Sequence, residues 1–266
     1  MHRPTCARTR AGRLSRLDED LCLEEAALLA RTDGCVVDLG FGATPVTTRE
    51  LAAALPPHLR VIGVEADPRN VPPNADEGRV SFRVGGFELD PELRPALVVR
   101  LMNVLRGYPP GEAAPARARV GAALAEGGVL IEGSCGPHGE VAVAGWWRRR
   151  GPDLVPEALL FSTTFANGFA PLVFRDRLPR DARGAVRDGT PLHRFFREWT
   201  AAYEEVRPSV PDARGRFVAA AALLSGRRDD VPARPERWET GRLWWRPLPG
   251  DVTVGPHVAL PSRVQW

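Results

Sequence analysis

Val36-Val37-Asp38-Leu39-Gly40-Phe41-Gly42-Ala43-Thr44 reads as a buried strand that ends in an acidic residue and turns through two glycines toward a helix. Glycines at that place let a backbone approach a ligand where a β-carbon would collide with it. Four more short apolar runs follow: Arg60 to Glu65, Val80 to Val84, Ala96 to Met102 and Gly128 to Gly133. With Cys35 to Leu39 they form the pattern of parallel strands buried on both faces and separated by helices or turns. The second run ends in Glu65, and adjacent parallel strands bring their carboxyl ends to one edge. A carboxylate there suits the two hydroxyls of a nucleotide ribose.

The connecting segments predict the remaining elements. Ser15 is expected to cap a helix running to about Arg31, with Leu17, Leu21, Leu28 and Leu29 as its apolar stripe. Thr47-Thr48-Arg49-Glu50 has the form of a capping box. Glu112 to Ala125 reads as a helix closed by a turn at Glu126-Gly127-Gly128. Pro72-Pro73 and the span from Gly85 to Pro95 leave little room for full crossover helices. Further on, Val141 to Trp147, Ala158 to Phe165 and Gly241 to Arg246 read as strands, and Pro191 to Val206 and Asp212 to Ser225 as helices. The expected fold is α/β: a Rossmann-like, mostly parallel twisted sheet flanked by helices, with a C-terminal helical insert and a final antiparallel strand. A single domain of residues 1–266 is expected, with a helical segment over 1–32, the core over 33–175, the insert over 176–232 and a last strand and tail over 233–266.

Composition removes several chemistries. All 36 basic residues are Arg and none is Lys, so Schiff-base enzymes, lysine-anchored pyridoxal phosphate, phosphate-loop lysines and kinase-type lysines are excluded. The arginine bias, with 26 Gly and 26 Pro, has the look of GC-rich bacterial coding. Against 33 acidic residues the net charge is only +3, which does not indicate a dedicated nucleic-acid binder. Cys6, Cys22, Cys35 and Cys135 lie far apart and read as reduced thiols. The five histidines show no metal-ligand spacing, so no metal is expected. The stretch from Met1 to Arg13 lacks the apolar run of a signal peptide, and no stretch is long and apolar enough for a membrane span. A cytoplasmic location follows as the expectation, and the oligomeric state stays open.

Asp38, Gly40 and Gly42 on the first strand, Glu65 on the second, and Leu124-Ala125-Glu126-Gly127-Gly128-Val129-Leu130-Ile131-Glu132 at the fifth together resemble the class I, Rossmann-like methyltransferases that use S-adenosylmethionine. The resemblance covers Asp33 to Gly133, about half the chain. It implies a donor held around Asp38, Gly40, Phe41, Gly42, Glu65 and Ala66, with Asp38 toward the methionine amine and Glu65 on the ribose. The chain departs from the family's pattern at Thr44-Pro45, where many members have a third glycine, and at Gly85-Gly86-Phe87-Glu88, where many carry an acidic adenine ligand. Adenine then depends on backbone near Gly86 and on the Phe87 ring.

An acceptor is expected beyond the fourth parallel strand, where Arg100, Asn103, Arg106 and Tyr108 lie. Asn103 would orient an acceptor amine or hydroxyl and border the donor, Tyr108 would wall the pocket, and His138 is a candidate general base. Surface or strand-end salt bridges are the default for Arg100 and Arg106, and a plain strand-end thiol is the default for Cys135, against a catalytic cysteine. Phe195, Trp199 and Tyr203 recur every four residues, which favours core packing over an apolar acceptor pocket. Arg148 to Arg150 and Arg175 to Arg183 are the places where RNA phosphates would be met, although a solvated face is the default. A small-molecule acceptor is preferred over RNA. The alternatives are an NAD(P)-dependent oxidoreductase, whose G-x-G-x-x-G spacing is interrupted by Pro45, and a non-catalytic nucleotide-binding module of the same fold.

Overall fold

The computed structural model describes residues 10–247 apart from 91, 92, 94, 110 and 185; His2, Cys6 and His257 lie outside the described residues. Five strands form the parallel half: β1 (Cys35–Leu39), β2 (Arg60–Glu65), β4 (Val80–Val84), β5 (Ala96–Met102) and β6 (Leu124–Cys135), with the two-residue β3 (Asp76–Glu77) at the edge. The sheet order is β3-β4-β2-β1-β5-β6-β7-β8-β9, where β7 is Val141–Arg150, β8 Asp153–Thr163 and β9 Arg242–Trp245. β1 is buried along its whole length, as the unbroken apolar run requires. Its neighbours are β2 and β5, so chain order reverses there, and the loops leaving β1 and β5 lie against each other where Gly40 meets Val104.

Helices cover both faces. α1 (Ser15–Glu24), α2 (Ala26–Leu29) and α3 (Val46–Ala54) pack Leu17, Leu21, Leu29 and Leu51 on Val36, Val61 and Val98. α4 (Ala113–Gly121) packs Ala116 and Val120 on the other face, against Val37, Val99 and Leu130. The insert supplies a third core. α5 (Arg180–Gly184), α6 (Pro191–Val206) and α7 (Ala213–Arg227) follow a 3-10 segment, Pro171–Arg177, and α8 (Pro235–Glu239) leads into β9. α6 and α7 set Phe195, Trp199 and Phe217 on Val143, Phe161 and Leu243 of the antiparallel strands.

The four parallel strands from β1 to β5 and helix α6 have the expected limits, and the thin connections are indeed short, with one 3-10 turn at Pro68–Asn70. Other expectations are corrected. The N-terminal helix breaks at Glu25, whose buried carboxylate accepts both Arg148 amino groups at 2.8 and 2.9 Å. Ser15 does not cap it; its hydroxyl donates to the Gly12 carbonyl at 2.9 Å. The capping box does not form either. Thr48 donates to Asp38 at 2.7 Å and Glu50 accepts the Gly12 amide at 2.8 Å, so tertiary partners displace the local ones.

The helix expected to reach Ala125 stops at Gly121, where the Arg149 guanidinium closes it on the Gly121 and Ala122 carbonyls. Leu124 already pairs with Ala96, and the glycine turn becomes a bulge within β6 before Val98 meets Val129. β7 and β8 run longer than expected, as a hairpin registered from Val141 opposite Thr163 to Arg150 opposite Asp153. The expected final antiparallel strand is present as β9 on β8, and two further antiparallel pairings, β6 with β7 and β7 with β8, precede it. The second insert helix is Ala213–Arg227, capped by Asp212, and the last strand is shorter than expected at Arg242–Trp245.

The aromatic stripe of α6 is core. Trp199 is 0% exposed and meets Phe161 edge to face at 5.4 Å and stacks on Phe174 at 5.4 Å. The apolar acceptor pocket considered for this helix is therefore filled by its own rings. Trp199→Ala is expected to lower stability by about 3–5 kcal/mol, while Leu23→Ala on the exposed face of α1 should change it by less than about 0.5 kcal/mol; urea unfolding followed by circular dichroism checks both.

Candidate functional site

The carboxyl edge of the parallel strands gathers the expected residues, but not into one pocket. After β1 the chain turns at Gly40 (φ 78°) and Gly42 (φ 82°), a backbone that other residues rarely adopt. A β-carbon on Gly40 would lie 2.4 Å from Cγ2 of Val104, so this glycine makes room for the β5 loop rather than for a ligand. Phe41 is buried and meets Phe82 edge to face at 5.6 Å.

Asp38 sits directly opposite Arg100 in the β1–β5 register. The guanidinium grips it with two bonds of 2.9 Å, from Nε and Nη2. Nη2 also donates to the Thr47 carbonyl at 2.9 Å, and Nη1 donates to Asp18 of α1. Thr48 adds its hydroxyl to Asp38. Arg100 is 0% exposed, so the expected surface or strand-end salt bridge is instead a buried one at the centre of the sheet. Burial pulls the guanidinium down, but Asp18 and Asp38 together hold it above its ordinary value. With two carboxylates sharing one cation, burial pushes the Asp18 carboxyl up to about 6. An equivalent group lies on the opposite face: Arg117 of α4 donates to Glu132 at 3.3 Å and to Asp181, and burial raises Glu132 to about 7.

Glu65 turns inward. Oε2 accepts the Gly42 amide at 2.8 Å, and Oε1 accepts the amides of Ala66 and Asp67 at 2.9 and 3.2 Å. The side chain ties the glycine loop to the end of β2 and is 0% exposed. Of about four lone-pair sites on a carboxylate, three are taken. Toward the adenosyl donor these residues fit unevenly. Glu65 has one acceptor site left but no exposed surface, and a β-carbon on Gly86 would meet nothing nearer than Glu88 at 3.9 Å. Asp38, in contrast, is committed to Arg100 and Thr48.

Two clefts open on this edge. One, of about 440 Å³, is lined by Gly86, Phe87, Tyr108 and Glu112, with Phe87 and Tyr108 edge to face at 5.5 Å. The other, also about 440 Å³, lies beyond the ends of β5 and β6 and is lined by Arg10, Arg13, Asn103, Arg106, Cys135 and Arg177. Asn103 takes a left-handed backbone (φ 63°) tolerated by Asn. Its Oδ1 accepts the Cys135 amide at 3.1 Å, and its Nδ2 donates to the Cys135 sulfur at 3.2 Å. His138 is exposed on the β6–β7 turn, with Nδ1 at 3.4 Å from an Arg10 amino group. Asn103 and Tyr108 thus stand in different clefts, and His138 stands at the rim of the second.

Arg148 to Arg150 are spent on Glu25, Glu157 and main-chain carbonyls, which removes them as phosphate contacts. Arg177 lies within the stretch named as a possible phosphate contact, but Arg10 and Arg13 were not legible as parts of a site, because nothing in their spacing joins them to it. Arg100 was legible in principle: an arginine inside an otherwise apolar strand requires a buried counter-charge. Cys22, Cys35 and Cys135 are free thiols, and among the described residues no His, Cys, Asp or Glu cluster has the arrangement of a metal site. Among them, no helix is long and apolar enough to cross a membrane.

No family model matches the chain, and no curated protein matches it. Solved structures similar to it include magnesium protoporphyrin IX methyltransferase from Synechocystis with bound S-adenosylhomocysteine, at 18% identity over 46% of this chain and 55% of that one, TM-score 0.35. An O-methyltransferase from neocarzinostatin biosynthesis shares 23% over 46% and 39% of the two chains, TM-score 0.32. A carbon methyltransferase, CurJ, shares 18% over 46% and 34%, TM-score 0.38. The chain spans about half or less of each of these proteins, and none of the likenesses assigns its reaction.

Removing Arg100 leaves two buried carboxylates without a cation, so Arg100→Met should cost about 3–5 kcal/mol in urea unfolding. The Asp18 carboxyl has a folded pKa above its ordinary 3.8, so its contribution is complete below that value and is lost as pH rises through about 6. Relative to Asp18→Asn, the wild-type protein should therefore lose on the order of 2–3 kcal/mol between about pH 4 and pH 7, read from unfolding free energies across that range.

Proposed function

We propose that this chain is an S-adenosylmethionine-dependent methyltransferase acting on a small molecule rather than on RNA. The observation that carries the reading is the sheet edge where strand order reverses, shared by a two-glycine loop after β1, Glu65 at the end of β2 and Gly86-Phe87 after β4. Glu65 would take a ribose hydroxyl at its remaining acceptor site while holding the glycine loop by the Gly42 amide. Gly86 and the Phe87 ring would flank the adenine, with Tyr108 behind Phe87. The bound donor supplies an activated methyl on a sulfonium, so the protein's task is alignment. Asn103, its amide fixed by Cys135, would present the acceptor's nucleophile. Asp38 has no part in donor binding in this reading; it belongs to Arg100.

A second reading, a module that keeps the fold without turnover, is favoured by one specific observation: both carboxylates that the resemblance assigns to the donor are engaged by protein donors. Calorimetry separates the two. S-adenosylhomocysteine should bind, and Glu65→Ala should weaken it at least tenfold; no binding of either S-adenosylhomocysteine or S-adenosylmethionine leaves the second reading. Transfer of labelled methyl into small-molecule and RNA extracts then identifies the acceptor class, with label expected in the small-molecule fraction.

A further inference from the structure

We infer that the cleft beyond β5 and β6 binds a small molecule carrying two or more oxyanion groups, phosphate or carboxylate, through Arg10, Arg13, Arg106 and Arg177, with Asn103 at its floor. This rests on the methyltransferase reading only in making that anion the acceptor; the binding itself does not depend on a donor.

Among the described residues, four arginines and no carboxylate line one cavity of about 440 Å³. Among the described residues none of the four makes an ion pair; Arg10 and Arg106 are exposed, and Arg13 and Arg177 are half-buried. Arg13 keeps a buried Nε with no hydrogen-bond partner among the described residues. Arg177 donates only to the Cys135 carbonyl, at 3.5 Å. The charges also crowd behind the rim. Burial first, and then the charges of Arg106 and Arg180, pull the Arg183 guanidinium below its ordinary value. An acid beside the cleft is Glu140, which accepts the His138 amide at 2.9 Å and faces Arg177 and His138. One carboxylate at the rim does not neutralise four cations.

Like charges held together in a partly closed space are costly until an anion joins them, and planar guanidinium forks match phosphate and carboxylate oxygens with paired bonds. The cleft is bounded, which favours a compact anion over a nucleic-acid strand. Arg148 takes no part in it: it lies opposite Val129, toward the other end of β6 from Cys135, and is already paired. Asn103 adds an oriented amide beside the anion, which is the place for the nucleophile of an acceptor whose charged groups the arginines hold.

Calorimetric titration of the full chain with inorganic pyrophosphate and with citrate, at constant ionic strength and without S-adenosylmethionine, tests the inference. At least one should bind with one-to-one stoichiometry, and Arg106→Ala and Arg177→Ala should each weaken it tenfold or more, while Arg175→Ala, outside the cleft, leaves it unchanged. Pyrophosphate alone binding marks the oxyanions as phosphates, and citrate alone marks them as carboxylates. Binding of neither anion overturns the inference, as does binding that both cleft variants leave intact. Tight binding of a single-stranded RNA oligomer that both variants abolish, with no binding of the small anions, also overturns it in favour of RNA. Melting temperatures of the variants within a few degrees of wild type show that a loss of binding is not a loss of fold. A failed titration with a positive S-adenosylhomocysteine result would remove the anion and leave the methyltransferase; the reverse would do the opposite.

Discussion

An arginine at the centre of a parallel sheet keeps its charge, and the cost of removing that charge from water has to be offset on the spot. Arg100 meets this demand with Asp38 directly across the strand pair, with Asp18 on the covering helix and with the Thr47 carbonyl at the start of α3. One side chain therefore joins β1, β5, α1 and α3, and the helix that leads into the sheet is anchored by charge as well as by its leucines. Replacing such a group by apolar residues is often harmless, whereas breaking it is not, because the partner charges stay buried. Arg117 repeats the device on the other face with Glu132 and Asp181, adding the Trp147 ring at 4.5 Å.

This arrangement divides the functional edge. Asp38 has the position that the resemblance gives to a ligand of the donor's amine, and the ion pair removes it from that role. What remains open beyond β4, around Gly86, Phe87 and Tyr108, also carries Glu88, Glu112 and Arg119. What remains open toward the β5 and β6 ends is lined by four arginines. The two clefts are of similar size. The small net charge of +3 conceals this local grouping, since a whole-chain sum carries no information about where arginines meet.

The strands were legible because burial on both faces leaves an unbroken apolar run, and β1, β2, β4 and β5 have the limits that those runs mark. The ends of the N-terminal helix and the capping of α3 were not, because Thr48, Glu50 and Glu25 each find a partner far along the chain. The glycine pair Gly127-Gly128 looked like the end of a helix and became a bulge, because Leu124 finds Ala96 before the helix can continue. At the site, Gly40, Gly42, Glu65 and Phe87 were legible from the strand-and-turn pattern, but their contacts were not.

The residue string alone therefore determined a parallel α/β sheet with its glycine turn and strand-end acid, and it excluded every lysine-dependent chemistry. It also held the warning in Arg100, a charge with no neighbour of opposite sign in its own strand. Which carboxylate answers which arginine was decided only by folding, since the pairs join positions such as 18 and 100, or 117 and 181, that spacing along the chain cannot connect. The same holds for the cationic cleft. Arg10, Arg106 and Arg177 belong to three separate stretches, and only the order of the strands brings their guanidinium groups to one edge without a carboxylate to quench them.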